Sequence, residues 1–199
     1  MTGRITFWFD FASTYSYLSV MRIGGMAAAR GISVSWKPFL LGPVFAAQGW
    51  NTSPFNLFPA KGRYMWRDLE RICAARGLSF CRLDSFPQNG LLAARLALAA
   101  AEEDRIAAFT QAVFQAQFGQ GADIADERVL QGCLRVSGLA PGLVQRALDP
   151  AIKSALRAQT DEAIAMGIFG APSFTSGAEL FWGDDRLEQA LDHAAAVTI

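Results

Sequence analysis

Ser13 stands where a strand gives way to a helix, a position at which a hydroxyl can hold an anion. Upstream of it, Arg4 to Phe9 is short, apolar and rich in aromatic and β-branched residues, which reads as a buried strand. From Thr14 the period changes, and Tyr17, Leu18, Met21, Gly24, Gly25 and Ala28 fall on one helical face. The junction puts the Ser13 hydroxyl and free backbone N–H groups at a helix N-terminus, where partial positive charge favours an anion. Serine is too weak an acid to become a thiolate-like nucleophile itself, but it can donate a hydrogen bond to a thiolate. The simpler role is an N-cap. On this segment alone the two readings stand level.

Other residues narrow the chemistry. Cys73, Cys81 and Cys133 have neither C-x-x-C nor metal-ligand spacing, and Cys73 and Cys133 sit on apolar helical faces as buried, inert thiols. The single histidine, His193, lies near the end of the last helix, and no spacing brings it to Ser13, so a Ser-His-Asp hydrolase is rejected. Lys61 and Arg63 occupy the first turn of a helix, where cations oppose the macrodipole, an arrangement that favours an anion site. Asn89 either caps the helix it opens or contacts a substrate. Arg95, inside an Ala/Leu-rich face, must find a buried partner or a substrate carboxylate.

The run Asp10-Phe11-Ala12-Ser13-Thr14-Tyr15-Ser16-Tyr17-Leu18 resembles the D-F-x-S-P-x-x-Y-L start of the 2-hydroxychromene-2-carboxylate isomerases and kappa-class glutathione transferases. That family lies in the DsbA-like part of the thioredoxin superfamily. Redox members carry C-x-x-C where this chain has Ser13-Thr14-Tyr15-Ser16, and Thr14 replaces the usual proline. The resemblance extends to Gly170-Ala171-Pro172-Ser173-Phe174 and implies a cis Ala171–Pro172 bond facing the Ser13 turn. The Ala171 backbone N–H and C=O are then free to pair with the cysteinyl part of glutathione. Gly183-Asp184-Asp185-Arg186 resembles a G-x-D-R corner, which implies Asp185 on the γ-glutamyl ammonium and Arg186 on its carboxylate or the neighbouring backbone, with Asp184 sharing the acidic role. Pro59-Ala60-Lys61-Gly62-Arg63-Tyr64 matches P-x-K-x-x-Y and places a glutathione contact at Lys61. Asn51 matches a further contact, one residue farther from the lysine than usual. Phe86-Pro87-Gln88-Asn89-Gly90-Leu91, continued to Arg95, resembles the segment beside the substrate cavity and implies Asn89 and Arg95 as substrate contacts.

The implied activity is a glutathione-dependent isomerisation of 2-hydroxychromene-2-carboxylate to trans-o-hydroxybenzylidenepyruvate. Ser13 stabilises the glutathione thiolate that acts as transient nucleophile. A kappa-like transferase that joins glutathione to electrophiles, or a non-catalytic thioredoxin-like binding module, are the alternatives. The implied partners are a small aromatic substrate and a second copy of the chain.

These residues need a frame. The chain has 199 residues, 52% hydrophobic, enough for one sizeable core. Its 18 basic and 18 acidic residues cancel, which argues against nucleic acid or an anionic membrane as partner. The longest apolar run, Leu91 to Ala101, is broken by Arg95 and is too short to span a bilayer. With no signal-peptide pattern at the N-terminus, the expected location is the cytoplasm.

Ile32 to Phe39 alternates as a second strand, parallel to the first. Helical patterns then run through Lys61–Arg76, Asn89–Ala101, Ile106–Phe118, Glu127–Val136 and Pro141–Leu148. Asp149-Pro150 caps and starts another, which ends before Gly167. Pro172–Thr175 and Glu179–Trp182 form a hairpin about Ser176-Gly177, and a closing helix follows from Asp184 or Asp185 to about Ala196. The expected architecture is α/β: a thioredoxin-like fold with a large all-helical insertion. Residues 1–42 and 151–199 form the thioredoxin-like domain and residues 43–150 the inserted helical domain.

Overall fold

A computed structural model describes residues 3–197. Four strands, β1 (Arg4–Phe9), β2 (Ser33–Pro38), β3 (Ser173–Ser176) and β4 (Glu179–Trp182), form one sheet in the order β2-β1-β3-β4. β1 runs parallel to β2, joined through α1 (Thr14–Ala28), and antiparallel to β3, which makes a hairpin with β4. Strand alternation divides the interior. Ile5, Phe7 and Phe9 enter a large core shared with α1 and the insertion, whereas Trp8 joins Phe39, Leu41 and Val44 in a smaller cluster. This mixed sheet with its helical elaboration is the thioredoxin-like outline expected from the sequence.

Between β2 and β3 come α2 (Leu41–Ala47), α3 (Pro54–Leu57), α4 (Pro59–Arg76), α5 (Leu91–Ala101), α6 (Ile106–Phe114), α7 (Glu127–Val136), α8 (Leu143–Arg146) and α9 (Pro150–Ala165). The last helix, α10 (Leu187–Ala196), follows a 3₁₀ turn at Asp184–Arg186. Prolines open α3, α4 and α9, and Gly77 ends α4 in the left-handed region at φ 65°.

Four local expectations are corrected. The covered face of α1 runs through Thr14, Ser16, Tyr17, Val20, Ile23 and Ala27, while Gly25 and Ala28 are exposed. The small residues mimic an apolar stripe, whereas contacts on several sides of the helix bury its serines. The helix begun at Ile106 changes to a π-helical turn at Gln115–Gly119. The Pro141–Leu148 helix shortens to one turn. Ser176 pairs with Glu179, so the hairpin turn is Gly177-Ala178, with Gly177 at φ 60°.

Candidate functional site

The β1–α1 turn is held from three sides. Ser13 is the N-cap of α1, and its Oγ accepts the Ser16 N–H at 3.2 Å. The same hydroxyl donates to the Ala171 carbonyl at 2.8 Å. The Ser13 N–H donates to the Asp10 carbonyl at 2.9 Å, and the Asp10 carboxylate accepts from the Ala12 and Leu41 N–H groups. The Ala171–Pro172 bond is cis, and Ala171 faces Ser13 as expected. One detail differs: the Ala171 carbonyl already accepts the Ser13 hydroxyl, while among the described residues the Ala171 N–H has no partner. Thr14, in place of proline, has a buried Oγ1 with no partner among the described residues, as has Ser16 Oγ.

Beside this turn, α4 and the 3₁₀ corner meet Tyr15. The Tyr15 hydroxyl donates to Asp68 Oδ2 at 2.9 Å, and its ring lies 6.4 Å from that of Phe55. Burial foremost, then the Asp68 hydrogen bond and charge, with smaller effects of Tyr64 and Asp185, push the phenol far above its ordinary value. Tyr15 therefore stays protonated within reach of the acidic corner.

Asp184 and Asp185 do different work. Asp184 is 5% exposed, and both its oxygens are engaged: Ser19 and Arg22 Nε reach Oδ1 at 2.9 and 3.3 Å, and Arg76 Nη2 reaches Oδ2 at 2.8 Å. Arg22 also donates to the Asp184 carbonyl at 2.6 Å. This buried carboxylate is committed to Ser19, Arg22 and Arg76 and fastens α1 and α4 to the corner. Asp185 and Arg186 are exposed, 3.5 Å apart. Gly183, at φ 107°, turns the chain so that a Cβ there would strike the Asp185 carboxylate.

In the insertion, Asn51 is exposed in the loop after α2, and Lys61 is exposed on the first turn of α4. Lys61 Nζ lies 4.7 Å from the centre of the Phe58 ring and, among the described residues, forms no ion pair. Gly62 lets α4 pass against α3, since a Cβ there would collide with the Phe55 carbonyl. Asn89 Oδ1 accepts the Leu91 N–H at 3.0 Å from one position before Gly90, the N-cap of α5, and among the described residues its amide nitrogen has no partner. Among the described residues, Arg95 has a buried Nε with no acceptor and no carboxylate partner. The structure thus brings Ser13, Ala171 and Pro172 together. It sets Asp185 and Arg186 on the neighbouring corner and leaves Asn51, Lys61, Asn89 and Arg95 on the surrounding helices and loops.

Tyr15, Asp68, Arg22 and Arg76 were missed by sequence reasoning. The polar Tyr15, Ser19 and Arg22 within α1 were the only local hint of these contacts. Among the described residues no cluster of His, Cys, Asp and Glu could hold a metal, and no helix is long and apolar enough to cross a membrane. His193 packs on Phe181, 5.6 Å between rings, rather than on Ser13.

A thioredoxin sheet carrying a serine at the helix N-terminus, opposite a cis proline, defines the class. A DsbA-like thioredoxin domain model matches residues 4–195, and the chain belongs to that family. Within it, the chain is 33% identical over 191 residues to a 2-hydroxychromene-2-carboxylate isomerase of Sphingobium xenophagum, covering 94% of this chain and 96% of that one. An enzyme of the same name from Pseudomonas putida is 29% identical, with coverage of 92% and 90%. A solved structure of 2-hydroxychromene-2-carboxylate isomerase superposes with a TM-score of 0.87 at 26% identity, covering 98% of this chain and 96% of that one.

Proposed function

We propose that this chain is a glutathione-dependent isomerase that converts 2-hydroxychromene-2-carboxylate to trans-o-hydroxybenzylidenepyruvate. The observation that carries this reading is the Ser13–Ala171 pair: a hydroxyl at a helix N-terminus, against a cis-proline loop, in a turn without cysteine. The name shared by the relatives supports the substrate class.

The groups around the turn fit a tripeptide with a central thiol and charged ends. The open Ala171 N–H suits the cysteinyl carbonyl. The exposed Asp185 and Arg186 suit the γ-glutamyl ammonium and carboxylate, and the unpaired Lys61, with Asn51, supplies a further polar contact. Asp184 supports this corner from beneath. When held by these residues, glutathione would supply a thiolate as a transient nucleophile toward the conjugated carbon of the ring-opened substrate.

Ser13 holds negative charge at the α1 terminus, where its hydroxyl and the first-turn amides are already oriented. Its single proton must swing from the Ala171 carbonyl toward the sulfur to do so. Arg95, without a carboxylate of its own, suits the substrate carboxylate, and the free Asn89 amide suits a substrate oxygen. The site thus lies between the proposed thioredoxin-like domain and its helical insertion.

Calorimetric titration with glutathione tests the fit. Binding is expected, weakened by Lys61→Ala and by Asp185→Ala; a wild-type chain that binds no glutathione overturns the reading. A kappa-like transferase would share these contacts and differ in product. A binding module would bind without turnover.

A further inference from the structure

We propose that Asp10 is a positioning residue for Ser13, locking the β1–α1 turn to the first turn of α2 and so fixing where the hydroxyl stands. This rests on the reading of Ser13 as the group that meets the sulfur. All three Asp10 acceptors are in use. Its carbonyl takes the Ser13 N–H at 2.9 Å, Oδ1 takes the Ala12 N–H at 2.8 Å, and Oδ2 takes the Leu41 N–H at 2.6 Å.

The third bond is the informative one. α2 has Leu40 at its N-cap and no side-chain cap of its own, so Asp10 provides the missing acceptor from another element. Gly90, at the head of α5, closes the far side: a Cβ there would stand 3.0 Å from Phe11 Cβ and 3.8 Å from Asp10 Oδ1. Among the described residues no cation pairs with the carboxylate. Burial pushes its pKa up, and the Ala12 and Leu41 N–H groups pull it back. Because α2 leads on to Asn51 and Lys61, one buried side chain registers the Ser13 turn against the segment that carries them.

Asp10→Asn keeps the size of the side chain but sets an N–H against one of the two backbone N–H donors. In a Ser13→Cys background, the pKa of the introduced thiol reports how well position 13 faces the α1 terminus, with no need for glutathione. The expected result is a rise, leaving about tenfold less thiolate near neutral pH. In the Ser13 protein, kcat for the isomerisation should fall at least about tenfold, as a small misplacement of a reacting group does.

Leu41→Pro removes the third donor without touching Asp10. Proline suits the first position of a helix, and Leu40, at φ −111° and ψ 120°, tolerates a following proline. Compared with Leu41→Ala, which keeps the N–H, it should raise the thiol pKa in the same way. An unchanged thiol pKa in both comparisons overturns the proposal. So does a fall in Asp10→Asn, since loss of a nearby negative charge would lower it. If Asp10→Asn does not fold, the Leu41 pair decides alone. Absence of glutathione binding in the wild-type chain would overturn the cofactor reading instead, leaving the thiol titration to decide the role of Asp10.

Discussion

The Ser13 hydroxyl donates to the Ala171 carbonyl across 2.8 Å, joining residues 158 positions apart. A hydroxyl has one proton, so the bond that fixes Ser13 against the cis-proline loop is the bond it must give up to serve a sulfur. The two interactions are alternatives. Loss of the hydroxyl should therefore affect binding little and charge stabilisation much.

For Ser13→Ala, glutathione affinity measured by calorimetry should change by no more than about 0.5–1.5 kcal/mol, the net value of one hydrogen bond. Turnover should fall by about 10²-fold or more, the usual cost of removing a donor to a developing anion. Unchanged turnover would remove Ser13 from the chemistry.

The adjacent acids should separate cleanly. Asp184→Ala removes the buried carboxylate that Arg22 and Arg76 share and should cost about 3–5 kcal/mol in urea unfolding. Asp185→Ala, at an exposed position, should lie within about 0.5 kcal/mol of wild type yet weaken glutathione binding. Equal stability losses would contradict the division of labour.

Cys73 and Cys133 provide a pH signature. Burial pushes each thiol up to about 11, from 9.0 in the unfolded chain; at Cys73 the Arg76 charge opposes this and Asp184 adds to it. Since the folded state holds these protons more tightly, their contribution to stability is complete below pH 9.0 and is lost as pH rises toward about 11. Tyr17, pushed by burial to about 12, extends the loss above that. Urea midpoints should decline over this window, less steeply in a Cys73→Ala, Cys133→Ala variant. At pH 8 a thiol reagent should label Cys81, the only partly exposed cysteine among the three, before the other two.

Gln117 is fully buried in the π-helical turn, and among the described residues neither end of its amide has a partner. Gln117→Leu keeps the volume and removes an unsatisfied polar group, so stability should rise by about 1 kcal/mol in urea unfolding. A loss of stability would mean that the amide is satisfied in solution.

The elements carrying the site were legible because their signals are local. Arg4–Phe9 reads as a strand from its aromatic run, Ser13 as a helix start, and Gly77 as a helix stop. The short helices at Leu41–Ala47 and Pro54–Leu57 were not, since one has no side-chain cap and the other is a single turn. Distant partners were beyond reach as well. Nothing in the spacing of Arg22, Arg76 and Asp184 announces that two helices converge on one carboxylate. Likewise the Ala171 carbonyl is open in a sequence motif, and only the folded chain shows Ser13 already upon it.

The most direct measurement of the central claim follows 2-hydroxychromene-2-carboxylate by absorbance while total free thiol is counted in the same mixture. With glutathione well below the substrate concentration, conversion should reach equilibrium with total thiol constant, and no conversion above background should occur without glutathione. Equal conversion without glutathione, no conversion with it, or thiol lost one-for-one to a conjugate detectable by mass would contradict the account.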